Sequence, residues 1–234
     1  MEKIKKTDEK VAFISDMNLT LANAVRRSAN EIPILAIDEV DIYKNDSALY
    51  DEVLAHRIGL VPLKNQKVKE GDFVEFKLST KANDKSNHVY SGEMGEGVII
   101  DNIPLTILEK DQELEFVARA KQGKGVEHAK YSPGLVYYRI LNKIEIGKDA
   151  EKRADLAEIF PEAFTFDGKL KVKNDWAFDL DVEDLEEFEG IKLTPTDKIV
   201  FSIESWGQID AGEIFTDAIK VLSKNLDEVA KELK

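Results

Sequence analysis

Apolar and polar positions along the chain repeat with two different periods, and each change of period marks a new element. Lys10 to Ser15 (KVAFIS) sets Val11 and Phe13 on one side, the alternation of a half-buried strand. From Asn18 the period lengthens, and Leu21, Val25, Ala29 and Ile32 make one stripe of a helix. Asn18 and Thr20 are good N-cap residues, and Pro33 pushes its predecessor out of the helical region, which bounds the helix on both sides. Alternation resumes from Ile34 to Tyr43 through Val40 and Ile42. A second helix follows. Ser47 is placed to cap its start, Gly59 to end it in the left-handed conformation, and Leu49, Val53 and Leu54 give its apolar side.

From there to about Pro133 short strand signals are separated by polar turns: Phe73 to Leu78, His88 to Ser91, Val98 to Ile100 and Leu114 to Ala120. Phe73 and Phe76 differ in parity, so the first of these strands is read as buried on both faces or bulged. Leu135 to Ile146 is rich in aromatic and β-branched residues and reads as one long strand or a strand pair. Ala154, Leu156, Ala157 and Phe160 predict a short helix before Pro161, and Lys198 to Ser205 predicts a last strand. Asp210 and Glu213 resemble a capping box opening the final helix. Along that helix Phe215, Ile219, Leu222, Leu226, Val229 and Leu233 recur with steps of 4, 3, 4, 3 and 4, a heptad-like seam. Such a seam packs on its own sheet or on a partner helix, and the pattern does not choose between them.

The polar faces carry the candidate chemistry. Opposite the first helix's stripe stand Asn23, Arg26, Arg27 and Asn30. Two adjacent arginines flanked by short amides, in an acidic chain, are either a solvated face or a fork of donors aimed at a partner's carbonyls or carboxylates. On the second helix Glu52 and His56 lie at i and i+4 beside Arg57, and read as a local ion pair or the start of an acid–base site.

Composition narrows these readings. The 234 residues are 43% hydrophobic, enough for a core. The net charge of −13 opposes autonomous DNA or RNA binding, which draws on phosphate neutralisation by basic side chains. With no cysteine there is no disulfide, thiolate zinc site or cysteine-held iron–sulfur cluster. His56, His88 and His128 are widely spaced and match no metal motif. From Asp175 to Glu189 there are many carboxylates and no Lys or Arg, a solvated acidic element without the spacing of a calcium loop. MEKIKKTDEK has no apolar signal-like core, and no run approaches the roughly 18 apolar residues of a membrane span, so a cytoplasmic protein is expected.

Four ordered stretches, NAVRR, DEVLAHRIGLVPL, GVEHAKYSPG and SIESWGQIDAGEIFTDAI, resemble the assembly subunits of multisubunit RNA polymerases. That family includes the third-largest eukaryotic subunit, its archaeal counterparts and the amino-terminal domain of bacterial α. The resemblance, nearest to the archaeal members, implies an α+β fold with a discontinuous dimerisation domain (1–43, 135–147 and 196–234) interrupted by a β-rich insert domain (44–134). It also implies a small third insertion at 148–195, where many relatives hold an iron–sulfur cluster; without cysteines this one is expected to be a cluster-free remnant, and no cofactor is expected.

The implied function is a non-catalytic scaffold. It would pair with the smaller homologous subunit L, then dock subunits N and P and the large catalytic subunits, meeting DNA only through the complex and no membrane. By the same resemblance Asn23, Arg26 and Arg27 face the large subunits. Glu52, His56 and Arg57 lie near other subunits, His128 and Lys130 form an interface loop, and Phe215, Ile219, Leu222 and Leu226 belong to the dimerisation surface. Two other functions compete: an enzyme centred on Glu52 and His56, and a self-associating structural protein using the last helix as its seam.

Overall fold

The computed structural model describes residues 2–69, 71–179 and 188–233. Strands β1 (Glu2–Lys6) and β2 (Lys10–Ser15) open the chain, followed by helix α1 (Leu19–Ser28) and a short 3-10 turn at Ala29–Glu31. Strand β3 (Ile34–Asn45) leads to helix α2 (Asp51–Gly59), then to β4 (Val74–Lys81), β5 (Asn87–Tyr90), β6 (Pro104–Leu108) and β7 (Glu113–Gly123). Next come β8 (Gly134–Ile146), α3 (Ala154–Ile159), β9 (Phe164–Phe166), β10 (Leu170–Val172), β11 (Ile191–Ser205) and α4 (Ala211–Glu232). Helices and sheets are thus mixed, as the α+β reading expects. Among the described residues no helix is long and apolar enough to cross a membrane.

The chain divides into two compact units. One comprises 1–5, 12–22 and 137–202; the other comprises 6–11, 23–136 and 203–234. The first holds most of a four-stranded sheet ordered β1-β2-β11-β8 and a β9-β10 hairpin. Phe201 of β11 is fully buried and stacks on Phe13 of β2 at 5.5 Å between ring centroids. Beyond β8 a separate small core forms around Phe164, Phe178, Leu156 and Leu170. Phe178 meets Phe160 and Phe164 edge-on at 5.0 and 5.1 Å, the arrangement aromatic quadrupoles favour. Phe178 is 1% exposed, so the acidic stretch expected to be solvated in fact contributes a core residue. Residues 180–187 of that stretch lie outside the described residues.

The second unit is built on the antiparallel sheet β3-β7-β4 with a β5-β6 pair. β3 begins with four consecutive buried residues, Ile34 to Ile37, and alternates only afterwards. Leu35, Ile37, Leu54, Ile58, Phe76 and Phe116 belong to the core shared by this sheet and α2. β3 slips register against β7 twice: Ile37 faces Ala120 and Glu39 faces Arg119, so Asp38 is the extra residue of a bulge.

Several local expectations are corrected. Asn18 caps α1, its Oδ1 accepting from the Leu21 amide at 2.8 Å, but Leu21 is 46% exposed and Ala22 takes its place in the core. α2 starts after Tyr50 with no side-chain cap, so Ser47 does not cap it. Gly59 is the last helical residue and Leu60 continues right-handed, so no left-handed glycine ends the helix. Asp210 precedes α4 without a side-chain capping bond. Val98 to Ile100 makes only isolated bridges rather than a strand, and Phe73 lies outside β4, which pairs with β7 without a bulge. The proline-led strand β6 and the Asp167–Gly168 hairpin were not expected, although Asp-Gly is a strong turn signal.

Gly134 has a packing reason. A Cβ there would overlap the carbonyl oxygen of Glu204, so the β8 backbone runs against β11 at a spacing that admits no side chain. Gly134→Ala should lower unfolding free energy by about 3 kcal/mol, the upper range for overpacking. Urea denaturation checks this, and wild-type stability would contradict it.

Candidate partner-binding surfaces

Each residue singled out from sequence as partner-binding lies in the second unit. On α1 the side chains of Arg26 and Arg27 diverge. Arg26 is half-buried and donates from Nε and Nη2 to Asn23 Oδ1 at 3.2 and 2.9 Å, which fixes its guanidinium along the helix. Arg27 is exposed, and among the described residues neither arginine has a carboxylate within ion-pair distance. Asn30 turns toward the 124–134 loop instead: its backbone carbonyl accepts from the Val126 amide at 3.1 Å and its Oδ1 from the Ser132 hydroxyl at 3.2 Å.

On α2, Glu52, His56 and Arg57 are all exposed. Among the described residues Glu52 and His56 form no ion pair, and no group of three or more His, Asp or Glu could hold a metal. Arg57 donates to the carbonyl of Pro104 and ties the helix to β6. The acid–base reading of Glu52 and His56 gains no third group from this geometry.

The loop carrying His128 and Lys130 is held by a residue that sequence reading missed. The bulge in β3 turns Asp38 toward three donors: Lys130 Nζ at 2.9 Å, Lys121 Nζ at 2.7 Å and the Tyr131 hydroxyl at 3.0 Å. Partial burial disfavours the Asp38 charge, but hydrogen bonds from Lys121, Lys130 and Tyr131 outweigh it and hold the carboxyl well below the usual range. Burial, then Asp38 itself, pushes the Tyr131 phenol up, so it stays a donor. His128 is exposed and its Nδ1 accepts from the Lys130 amide at 3.1 Å, capping the short turn Ala129–Tyr131. Asp38 lies in a buried strand segment 92 residues from Lys130, and no local pattern connects them.

Helix α4 shows two faces. Ala211, Ile214 and Ala218 are buried, at steps of 3 and 4, and Asn225 reaches Glu31 in the turn after α1 at 3.0 Å. The predicted seam runs beside these residues, Phe215 and Leu222 lying at i+4 from Ala211 and Ala218. Phe215 and Leu222 are half-buried, while Ile219 is 43%, Leu226 62%, Val229 56% and Leu233 83% exposed. The helix therefore anchors through mostly small residues and leaves large aliphatic ones open.

A cleft of about 420 Å³ lies within the same unit. It is lined by Leu60, Val61 and Pro62 after α2, by Ala129, Lys130 and Ser132, and by Ser205 to Gln208 before α4. Three of the four stretches noted in the sequence thus meet around one cavity. Gly207 adopts φ +93, and a Cβ on it would meet Ile99 at 3.1 Å, so the turn bearing Trp206 and Gln208 needs glycine.

The chain matches, over residues 12–226, the model of the RNA polymerase Rpb3/Rpb11 dimerisation domain. The chain belongs to this family. It is 32% identical to DNA-directed RNA polymerase subunit Rpo3 of Pyrococcus horikoshii, covering 99% of this chain and 96% of the relative. Identity to the Thermococcus kodakarensis subunit of the same name is 33%, covering 98% and 96%. A plant relative, DNA-directed RNA polymerases II, IV and V subunit 3 of Arabidopsis thaliana, is 29% identical over 92% of this chain and 85% of its own length. Membership gives the open face of α4 its context: a domain defined by dimerisation carries an apolar helix surface that its own chain leaves uncovered.

Asp38→Asn should destabilise the chain by about 2 kcal/mol, since hydrogen bonds to a charged group are worth about 1.5–3 kcal/mol. Because the folded carboxyl titrates lower than the unfolded one, at about 3.9, its contribution is full above about pH 4 and is lost as pH falls toward the native value. The gap between wild type and variant in denaturation should be flat from about pH 5 to 8 and shrink below about pH 4. A gap that grew on acidification would contradict the assignment.

Proposed function

We infer that this chain is a non-catalytic structural subunit of a DNA-directed RNA polymerase, on which other subunits assemble. The observation that carries the reading is the open seam of α4, Ile219, Leu226 and Val229, on a chain of the dimerisation family. Contiguous exposed aliphatic side chains on a soluble domain mark an interface. Steps of four and three residues suit a partner helix packed side by side. The occupant we propose is the smaller homologous subunit L, with N, P and the large catalytic subunits docking afterwards and DNA met only through the complex.

The finer assignments are part of this proposal. The dimerisation domain is taken as 1–43, 135–147 and 196–234, the insert as 44–134 and the third insertion as 148–195. Asn23, Arg26 and Arg27 are proposed to face the large subunits. Arg26 is held by Asn23, and neither guanidinium has a carboxylate partner among the described residues, which suits donors kept for another chain. Glu52, His56 and Arg57 on α2, and His128 and Lys130 on the loop, are proposed as contacts with neighbouring subunits. The third insertion is proposed to fold without a cluster or other cofactor. Its aromatic core of Phe160, Phe164, Phe178 and Phe188 supports this, because it supplies apolar packing that needs no metal. A cytoplasmic site of action accompanies the reading.

The competing reading, self-association through the same seam, differs in what fills it. Two variants test the roles together. Leu226→Asp should disrupt pairing with subunit L while circular dichroism and melting stay near wild type, since Leu226 is 62% exposed. Arg26→Ala with Arg27→Ala should leave that pairing intact and reduce recovery of the large subunits at least tenfold in co-purification. Buried charged anchors cost about 2–4 kcal/mol when truncated. Normal polymerase assembly around the arginine variant, or an intact pair with the leucine variant, would overturn the corresponding role.

A further inference from the structure

Glu31 stands four residues after Arg27, the spacing at which a helix brings opposite charges together. The two do not pair: among the described residues the Arg27 side chain has no hydrogen-bond or ion-pair partner. Two features keep them apart. Pro33 disfavours helical backbone at Ile32, which is extended at φ −65 and ψ 126, and α1 closes in the 3-10 turn Ala29–Glu31. At about three residues per turn against about 3.6 in an α-helix, that turn rotates Glu31 off the row of Arg27. The Glu31 carboxylate is then taken up from α4, its Oε2 accepting from Asn225 Nδ2 at 3.0 Å. Asn225 is an odd residue for its place. Ala211, Ile214 and Ala218 form the buried stripe of α4, and Asn225 follows Ala218 by two turns on the same side. The stripe thus ends in a half-buried amide where an aliphatic side chain would continue it. Such an amide needs a partner to offset its desolvation, and among the described residues that partner is Glu31. The turn is also held from the loop side, since Asn30 accepts from the Val126 amide and the Ser132 hydroxyl at 3.1 and 3.2 Å.

We propose that Asn225 is a positioning residue: by holding Glu31 it keeps the Arg27 guanidinium free to bind an acceptor on another polymerase subunit. The inference rests on the docking role given to the α1 arginines above. Without the amide, Glu31 regains rotamer freedom, and two long side chains four residues apart reach each other. An intramolecular ion pair then competes with the partner's carbonyl or carboxylate for the same fork of donors. Arg26 shows the same restraint. Its partner is the neutral Asn23 amide, which orients the guanidinium without cancelling its charge. In a chain of net charge −13, an arginine stays available to a partner only if the carboxylate in helical register with it is held elsewhere.

The test is a competition for incorporation into polymerase. Wild-type and variant chains, each paired with subunit L and distinguished by mass, are mixed in equal amounts and assembled with the remaining subunits. The ratio of the two in purified polymerase, read by mass spectrometry, gives their relative affinity. Arg27→Ala should be outcompeted by wild type at least fivefold. Asn225→Ala should be outcompeted about two- to fivefold, the range that an exposed ion pair imposes. Adding Glu31→Gln removes the competing charge and should restore an even ratio. In the Arg27→Ala background, Asn225→Ala should add no further loss. A merely structural amide would give a loss that Glu31→Gln does not repair and that persists without Arg27. Either of those results, or even incorporation of Asn225→Ala where Arg27→Ala fails, would overturn the positioning role and leave the docking role of Arg27 standing. Even incorporation of Arg27→Ala would overturn both.

Discussion

A helix with more apolar surface than its own unit covers leaves the remainder open, and α4 is such a helix. Its first half spends Ala211, Ile214 and Ala218 on its own unit, and the two alanines are small enough to bring the backbone close. What remains outward is larger: Ile219, Leu226, Val229 and Leu233. At about 25 cal/mol per Å² of apolar surface, leaving several such side chains in water forgoes stabilisation that a partner helix would restore. The division between inward and outward residues makes the chain self-sufficient at the start of the helix and dependent on company further along it. An apolar surface left open in this way suits a domain whose family is defined by dimerisation.

The second constraint is the bulge at Asp38. One extra residue in β3 turns a carboxylate out of the ladder and into reach of Lys121, Lys130 and Tyr131. The loop from Lys124 to Pro133 has little apolar content of its own, so this polar clamp gives it a fixed position. From the clamp follow the wall of the Trp206 cleft and the exposed placement of His128. An acidic chain thus carries several ordered surface features on one unit: an arginine pair on α1, a polar α2 face, a clamped loop and an open seam. None needs a catalytic group, consistent with a scaffold whose work is geometric.

Much of the fold was legible where structure follows local period. The α1 stripe, β3, the long β8, the short α3 and the α4 heptad lie where the pattern puts them, within a few residues. What failed was local geometry decided by distant contacts. Leu21 belonged to the stripe by spacing, yet it is exposed and Ala22 is the buried residue. Ser47 and Gly59 carried cap chemistry, but α2 starts after Tyr50 without a side-chain cap and Leu60 continues right-handed. Of the candidate site, the residues on helices were readable because a helical face can be drawn from sequence. Asp38 was not, since only the fold reveals a bulge and its three donors. Nor was the cleft, whose walls come from stretches separated by dozens of residues. The exposure of the α4 seam was undecidable from its heptads, which suit a sheet of the same chain as well as a foreign helix.

Everything proposed for assembly depends on the outer seam of α4 being completed by a smaller protein of the same family. Co-expression of this chain with that protein, followed by light scattering on the purified species, measures this without intermediaries. A single one-to-one heterodimer is expected, with the chain expressed alone aggregating or recovered poorly. A stable monomer, or a homodimer that ignores the smaller protein, would contradict it and would leave the exposed aliphatic face of α4 to self-association.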